Sequence, residues 1–395
     1  MKTSKLGKLV KITIGRTPSR SNSNFWDKEK ITGNKWFSIA DLLNVNGRVT
    51  NDSKEYVTNE AANMFAVVPK GTLLVSFKLT LGRLAFAGHD LRTNEAIAAL
   101  HNNESNILNE YLYYYLSYFD WLNYAASDQK VKGLTLNKAK LSEIPITYPE
   151  SLEEQRRVVA KLDAAFEKID RAIELTQQNL ENSHNIFKSY FSNIFKSLED
   201  ENTVKISDIF RTGAGGTPLK SHKEYYANGD IPWLRSGEVC TKNILASKLN
   251  ITQSGLDNSS AKLFPKNSVL VAMYGATAGQ VGILRFQAAT NQAICAILPN
   301  EKVLPEFMYY AVFNQKKYLI SQAVGNAQPN VSQIKIKNLR IPRIDIAKQK
   351  SVVLEIEKIE NQTNQIQDNY RLRITYLKAL KQSMLEQAFN DKVEA

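Results

Sequence analysis

Two stretches of the chain carry hydrogen-bonding side chains directly after apolar runs. Lys78, Thr80 and Arg83 follow Leu73-Leu74-Val75-Ser76-Phe77, and Tyr274, Thr277 and Gln280 follow residues 269–273. Arg16 and Thr17 occupy one early turn, and Thr217 and Lys220 a later one. Lys130 and Lys132, and further on Asn326, Gln328 and Asn330, add polar side chains near the ends of the same two regions. These residue types recognise rather than transform. Arg or Lys pairs bidentately with guanine and Asn or Gln with adenine, while hydroxyls and cations grip phosphate. Gly275 and Gly279 would let the backbone approach a phosphate or a groove edge. Each residue taken singly also suits a solvated turn.

Side chains for bond chemistry do not converge anywhere in the sequence. There is no Asn/Asp-Pro-Pro-aromatic motif and no Gly-x-x-x-x-Gly-Lys-Ser/Thr phosphate loop. His89, His101, His184 and His222 are scattered, with no metal-binding or triad-like arrangement. Gly213-Ala214-Gly215-Gly216 fails the spacing of a dinucleotide loop. Cys240 and Cys295 have no partners at metal-ligand spacing and suggest no disulfide framework. The expectation is a chain with no catalytic residues and no metal.

The elements that position the recognition residues are built twice. Thr93-Asn94-Glu95-Ala96-Ile97 returns as Thr290-Asn291-Gln292-Ala293-Ile294, an offset of 290 − 93 = 197. Thr17-Pro18 recurs as Thr217-Pro218, Trp36 with Asp41 as Trp233 with Glu238, and Pro69-Lys70 as Pro265-Lys266. Glu110 with Tyr113-Tyr114 recurs as Glu306 with Tyr309-Tyr310, and Ile144-Pro145 as Ile341-Pro342. Such long repeats make a duplicated domain rather than a solenoid. Positions shared by the copies are scaffold candidates, which makes Trp36 and Trp233 core residues, and Tyr113-Tyr114 and Tyr309-Tyr310 likewise. Positions that differ are specificity candidates, first among them Leu79-Thr80-Leu81 against Gly275-Ala276-Thr277. The change from Glu95 to Gln292 could alter a base contact, while the shared asparagine could tie a turn.

Each copy divides into a head and a tail, giving heads at 1–148 and 201–344 and tails at 149–200 and 345–395. The heads mix short β-like runs with turns and a tyrosine-rich helix near Glu110–Phe119, and read as α+β. The tails carry heptad seams. The first runs through Val159, Phe166, Ile173, Leu180, Phe187 and Ile194, with Leu162, Ile169, Thr176, Ser183 and Tyr190 interleaved. The second runs through Ile356, Thr363, Tyr370, Leu377 and Met384, with Val352, Ile359, Ile366, Arg373 and Leu380 interleaved. No proline or glycine occurs between Ser151 and Glu201 or from Asp345 onward, and a helix of roughly 46 residues would run about 70 Å. A narrow apolar stripe needs a partner, so the tails are expected to bury their seams on each other. Connectivity makes that pairing antiparallel and relates the heads by a pseudo-two-fold axis. Thr176, Ser183, Thr363 and Arg373 read as register-setting polar steps. Phe187, Tyr190, Phe191 and Phe195 offer more apolar surface than one seam needs.

A net charge of +12 in 395 residues suggests a polyanionic partner, nucleic acid before membrane. The N-terminus MKTSKLGKLVKITIG lacks the apolar core of a signal peptide, and no run reaches membrane-spanning length, so a cytoplasmic protein is expected.

LSEIPITYPESLEEQRRVVAKLDAAFEKID (141–170) resembles the start of the central conserved helix in specificity subunits of type I restriction–modification enzymes. NLRIPRIDIAKQKSVVLEIEKI (338–359) resembles their C-terminal helix, and GGTP (215–218), PWLRSGEV (232–239) and LVAMYGATAG (270–279) resemble their target-recognition domains. The resemblance covers nearly the whole chain in head–helix–head–helix order. It implies two target-recognition domains, each reading half of an interrupted site in double-stranded DNA, on a helical ruler that docks two methyltransferase subunits. Two further restriction/translocase subunits would move and cut DNA. S-adenosylmethionine, ATP and Mg would belong to those partners, and this chain would be non-catalytic and bind no cofactor. It departs from the pattern at Lys348-Gln349, where the first copy has Glu154-Gln155, and at Arg16, which breaks the paired glycines of Gly215-Gly216. From the residues alone, two other classes stay open. One is a coiled-coil scaffold bridging two proteins without DNA readout; the other is an autonomous methyltransferase or nuclease, which the missing motifs disfavour.

Overall fold

A computed structural model describes residues 1–102, 106–126, 135–198, 201–322 and 330–390. The chain forms two units: Met1–Gln177 with Leu372–Ala395, and Gln178–Arg371. Both are mixed α/β, the class expected from the sequence.

In the first unit the main sheet uses β1 (Lys11–Ile14), β2 (Leu73–Ser76), β3 (Leu84–Phe86) and β4 (Ile97–His101), in the order β1-β4-β2-β3. All pairs are antiparallel, with Leu74 opposite Ala99 and Ala85. β2 is buried on both faces: Leu73 and Val75 point into one apolar cluster, Leu74 into another. That explains its unbroken apolar run, since a strand covered on both sides loses the usual alternation. The second unit repeats the order with β5 (Thr212–Ala214), β6 (Val269–Ala272), β7 (Val281–Leu284) and β8 (Ile294–Ile297), as β5-β8-β6-β7. It adds Asn243–Ile244 in parallel beside β7.

A smaller sheet backs each main one. Lys35–Phe37 lies between Glu55–Tyr56 and Arg92–Thr93 in the first unit. Ile231–Leu234 lies between Leu249–Ile251 and Ala288–Thr290 in the second. A two-stranded ribbon closes each head, Lys2–Lys5 with Pro145–Tyr148 and Thr203–Lys205 with Arg340–Pro342. The repeated Ile-Pro pair stands at these ribbons.

Four helices complete the frame: α1 (Asn109–Tyr118), α2 (Leu152–Lys196), α3 (Pro305–Asn314) and α4 (Ile346–Asn390). The long helices α2 and α4 have 45 residues each, and no described helix is long and apolar enough to cross a membrane. Within the first unit the start of α2 and the end of α4 bury Val159, Leu162, Leu385 and Phe389 against the head. Within the second, the end of α2 and the start of α4 bury Phe191, Ile194, Phe195, Val352, Val353 and Ile356. In each unit, therefore, the two helices run antiparallel.

The first seam lies largely where the heptads place it. Val159, Leu162, Ile169, Thr176, Ser183 and Ile194 are buried, and Phe166, Ile173, Leu180 and Phe187 are half-buried. Tyr190 is instead exposed, its hydroxyl donating to Glu355 at 2.6 Å, and Phe191 takes the buried place. The second seam needs a correction. Val352, Ile356 and Thr363 are buried, and Ile359, Tyr370, Leu377 and Met384 half-buried, but Ile366 and Leu380 are exposed, as is Arg373. Gln367 is buried there, with Ile374 and Lys381 half-buried. From Ile366 onward the interleaved series is rotated by one residue, about 100° of helix. Residue type misleads because the inward positions are polar: Gln367 Nε2 meets His184 Nδ1 at 3.1 Å, and Lys381 Nζ meets Asp170 at 2.7 Å.

A matched polar anchor ties each head to a long helix. Arg48 donates to Tyr114 Oη at 3.0 Å and to Asp163 on α2 at 2.6 Å, and Tyr114 also donates to Asp163. In the second unit Lys242 donates to Tyr310 Oη at 2.7 Å and to Glu357 at 2.8 Å, while Tyr310 donates to Glu360 at 2.8 Å. Burial first, then these acidic acceptors, hold both phenols well above their ordinary range. The repeated tyrosines are scaffold, as their equivalence suggests.

Candidate nucleic-acid interface

In each unit, four segments meet at one end of the main sheet. Beyond β1, Gly15 N–H donates to Ile97 and Arg16 N–H to Thr93. Beyond β2, Phe77 N–H donates to Ala96 and Phe77 C=O accepts from Leu136, with Lys78 bridged to Thr135. The second unit repeats the arrangement. Gly216 N–H donates to Thr290, Met273 N–H to Ala293, Val331 N–H to Met273, and Tyr274 bridges to Asn330. Residues near 16, 78, 95 and 135 thus share one end of the first head. Residues near 216, 274, 292 and 330 share the corresponding end of the second.

The repeated tryptophans brace these ends from below. Trp36 is 1% and Trp233 3% exposed; their Nε1–H groups donate to Arg16 C=O and Gly216 C=O, each at 3.0 Å. A buried indole that must satisfy its N–H fixes the carbonyl it meets. We expect Trp233→Phe to cost about 1 kcal/mol of stability, the size of one neutral hydrogen bond. Loss of nucleic-acid binding should exceed that cost. Paired melting and duplex-titration measurements check this, and binding unaffected at equal stability would contradict the bracing role.

The structure brings together Thr17 and Lys78 in the first head. Thr17 Oγ1 donates to Glu95, whose carboxylate also feels Lys78 and Arg20. Burial alone would raise the Glu95 carboxyl, but the Thr17 hydroxyl, its own amide and the two cations hold it below the usual range. Arg16 and Arg83 are exposed, and Thr80 is half-buried. Arg83 sits at the hairpin exit, its C=O accepting from Ser76 N–H at 2.9 Å. Its counterpart Gln280 accepts from Ala272 N–H at 2.9 Å in the second head. There Thr217 Oγ1 donates to Gln292 Oε1, Tyr274 is 39% exposed, and Thr277 Oγ1 donates to Tyr274 C=O at 3.3 Å. Asn330 is exposed beside Tyr274, and Lys220 is exposed in the turn after Thr217. Lys130, Lys132, Asn326 and Gln328 lie outside the described residues.

The loop that differs most in sequence keeps a left-handed residue near each end, although the second copy is one residue longer and makes a 3-10 turn at Gly275–Thr277. Leu79 (φ 64°) and Gly275 (φ 71°) occupy matched places, as do Gly82 (φ 75°) and Gly279 (φ 77°). Gly275 fits the left-handed region freely, but Leu79 does not, and it is 79% exposed at the loop tip. The sequence contrast of Leu79-Thr80-Leu81 with Gly275-Ala276-Thr277 falls on this loop, with Lys78 and Thr80 beside its tip. Sequence reading missed Arg20, which forks onto Glu55 and stacks 4.0 Å over the Trp26 ring. The signal was there: Arg20 aligns with the chosen Lys220 at the local offset of 220 − 20 = 200.

Each unit thus gathers polar loops at one end of its main sheet and includes parts of both long helices. The family model for the type I restriction modification DNA specificity domain matches residues 1–182 and 199–376, and the chain belongs to that family. It is 24% identical over 275 residues to the type I restriction enzyme EcoR124I/EcoR124II specificity subunit of Escherichia coli, covering 67% of this chain and 66% of that one. It is 31% identical over 157 residues to the MjaIX specificity subunit of Methanocaldococcus jannaschii, covering 38% and 36%. The matches thus span less than two thirds of these relatives' lengths. Among solved structures, a chain from work on complex assembly and conformational transition of a type I R-M system superposes with a TM-score of 0.76 at 16% identity, covering 98% of this chain and 97% of that one. The HsdS subunit from Thermoanaerobacter tengcongensis gives 0.55 at 16% identity, covering 98% and 96%. At these identities the likeness speaks for the fold.

Proposed function

We propose that this chain is the DNA sequence-specificity subunit of a type I restriction–modification complex. Each head reads one half of an interrupted duplex site through the loops gathered at its sheet end. The paired helices set the separation of the halves and dock two methyltransferase subunits, which two restriction/translocase subunits join. The chain binds no cofactor and performs no bond chemistry; S-adenosylmethionine, ATP and Mg serve its partners.

The observation that carries this reading is the repetition of one loop-bearing sheet end with different side chains on it: Lys78, Arg83 and Glu95 in one head, Tyr274, Gln280 and Gln292 in the other. One scaffold with two sets of hydrogen-bonding groups suits two unlike half-sites. Exposed apolar residues along the long helices, including Leu354, Leu372 and Tyr376, suit protein partners.

Selection from randomised duplexes, with and without a methyltransferase partner, should enrich two short motifs separated by a fixed unread gap. Enrichment of one continuous motif, or of none, would reject the reading. Affinity should fall by about a thousandfold or more between 50 and 200 mM salt if six or more phosphates are contacted. A protein-bridging scaffold would barely respond.

A further inference from the structure

Glu95 and Gln292 stand at matched places, 292 − 95 = 197 residues apart, each exposed at the loop end of its sheet. Each is met by a matched threonine, and a hydroxyl has one proton to give. Thr17 gives it to Oε2 of Glu95, whose carboxylate can only accept. Thr217 gives it to Oε1 of Gln292, so the amide presents its Nε2 donors together with the remaining lone pair of Oε1. Among the described residues, no hydrogen bond occupies the Gln292 nitrogen. One atom therefore changes the hydrogen-bond polarity within an otherwise repeated Thr-Asn-x-Ala-Ile segment.

Resting on the DNA-reading function proposed above, we infer that residues 95 and 292 are base-reading positions of opposite polarity. Glu95 accepts from the exocyclic amino group of a cytosine, and Gln292 pairs bidentately with an adenine. A carboxylate on a DNA-facing surface is repelled by phosphate, and is tolerated where it meets a base amino group. The Thr17 hydroxyl, with Lys78 and Arg20 nearby, favours the charged form of Glu95, and the two cations offset that repulsion. The plainer role, in which the two side chains only tie Thr17 and Thr217, requires no particular base and predicts no change in base preference.

The test uses the full chain with its methyltransferase partner, selected on randomised duplexes beside Glu95→Gln, Gln292→Glu and Glu95→Ala. Glu95→Gln should switch one position of one half-site from cytosine towards adenine by roughly tenfold or more, the discrimination expected of one base-edge contact. The other half-site should be unchanged. Gln292→Glu should do the reverse in the other half, and Glu95→Ala should leave one position unselective. If Glu95→Gln does not fold, as judged by its melting curve, the Gln292→Glu arm decides alone. Half-sites that stay identical in folded variants that bind duplex overturn the inference while leaving the DNA-reading function intact. A wild-type chain that enriches no sequence overturns both.

Discussion

Replacing Gln155 by alanine should remove about 3 kcal/mol from the first unit, and Gln349→Ala a similar amount from the second. Gln155 has no solvent exposure. Its Oε1 accepts from Leu108 N–H at 2.9 Å, and its Nε2 donates to Asn106 C=O at 2.9 Å and Pro149 C=O at 2.8 Å. Gln349 repeats this with Leu304 N–H, Lys302 C=O and Ile344 C=O. Leu108 and Leu304 are the N-cap residues of α1 and α3, and neither cap has a side-chain hydrogen bond of its own. A glutamine from the start of a long helix therefore satisfies the entry of the head's helix. Truncation deletes three bonds and strands their partners, each at about 1 kcal/mol or more. Denaturant unfolding measures the loss; a change below about 1 kcal/mol in both variants would reject the account.

The second large effect concerns the closest backbone approach in each head. A Cβ added to Gly15 would stand 1.9 Å from Thr93 C=O, and one on Gly215 would stand 2.0 Å from Thr290 C=O. No side chain can yield there, because the obstacle is main chain. Gly15→Ala and Gly215→Ala should each cost about 3 kcal/mol, the upper range for forced overpacking. Because the same segment carries Thr17 or Thr217, each should also, on the function proposed above, disable the half-site of its own head. Gly237→Ala is the control: nothing lies within 4 Å of its Cβ, and stability should hold within about 0.5 kcal/mol. Wild-type stability and binding in Gly15→Ala would disprove the close approach.

The architecture was readable largely because the chain supplies its own comparison. Trp36 and Trp233, Tyr114 and Tyr310, and the Thr-Asn-x-Ala-Ile segments proved to be scaffold or turn positions held in common. Gly215 explains half of a noted departure: Gly15 matches it, and only Gly216 lacks a partner glycine. Gly216 is needed where its Cβ would strike Ser260 and Ala261. What misled was polarity in place of hydrophobicity. The rotated face of α4 hides Gln367 and half-hides Lys381, which a search for apolar heptads passes over in favour of Ile366 and Leu380. Gln155 and Gln349 escaped for the same reason: attention went to the Glu154/Lys348 difference, while the shared residue beside it held the helices. Loop geometry such as the left-handed Leu79 has no pattern of its own in one sequence; it emerges only beside Gly275.

The first unit is discontinuous in sequence, and its core includes Leu385 and Phe389 from α4. During synthesis, the first head must wait for the end of α4 before its apolar floor is laid. The second unit, an uninterrupted stretch from Gln178 to Arg371, can close without that delay. Of the two heads, the one made first is thus the later to mature, and a nascent chain stalled before Met384 would hold one finished module and one with its underside open to chaperones and proteases.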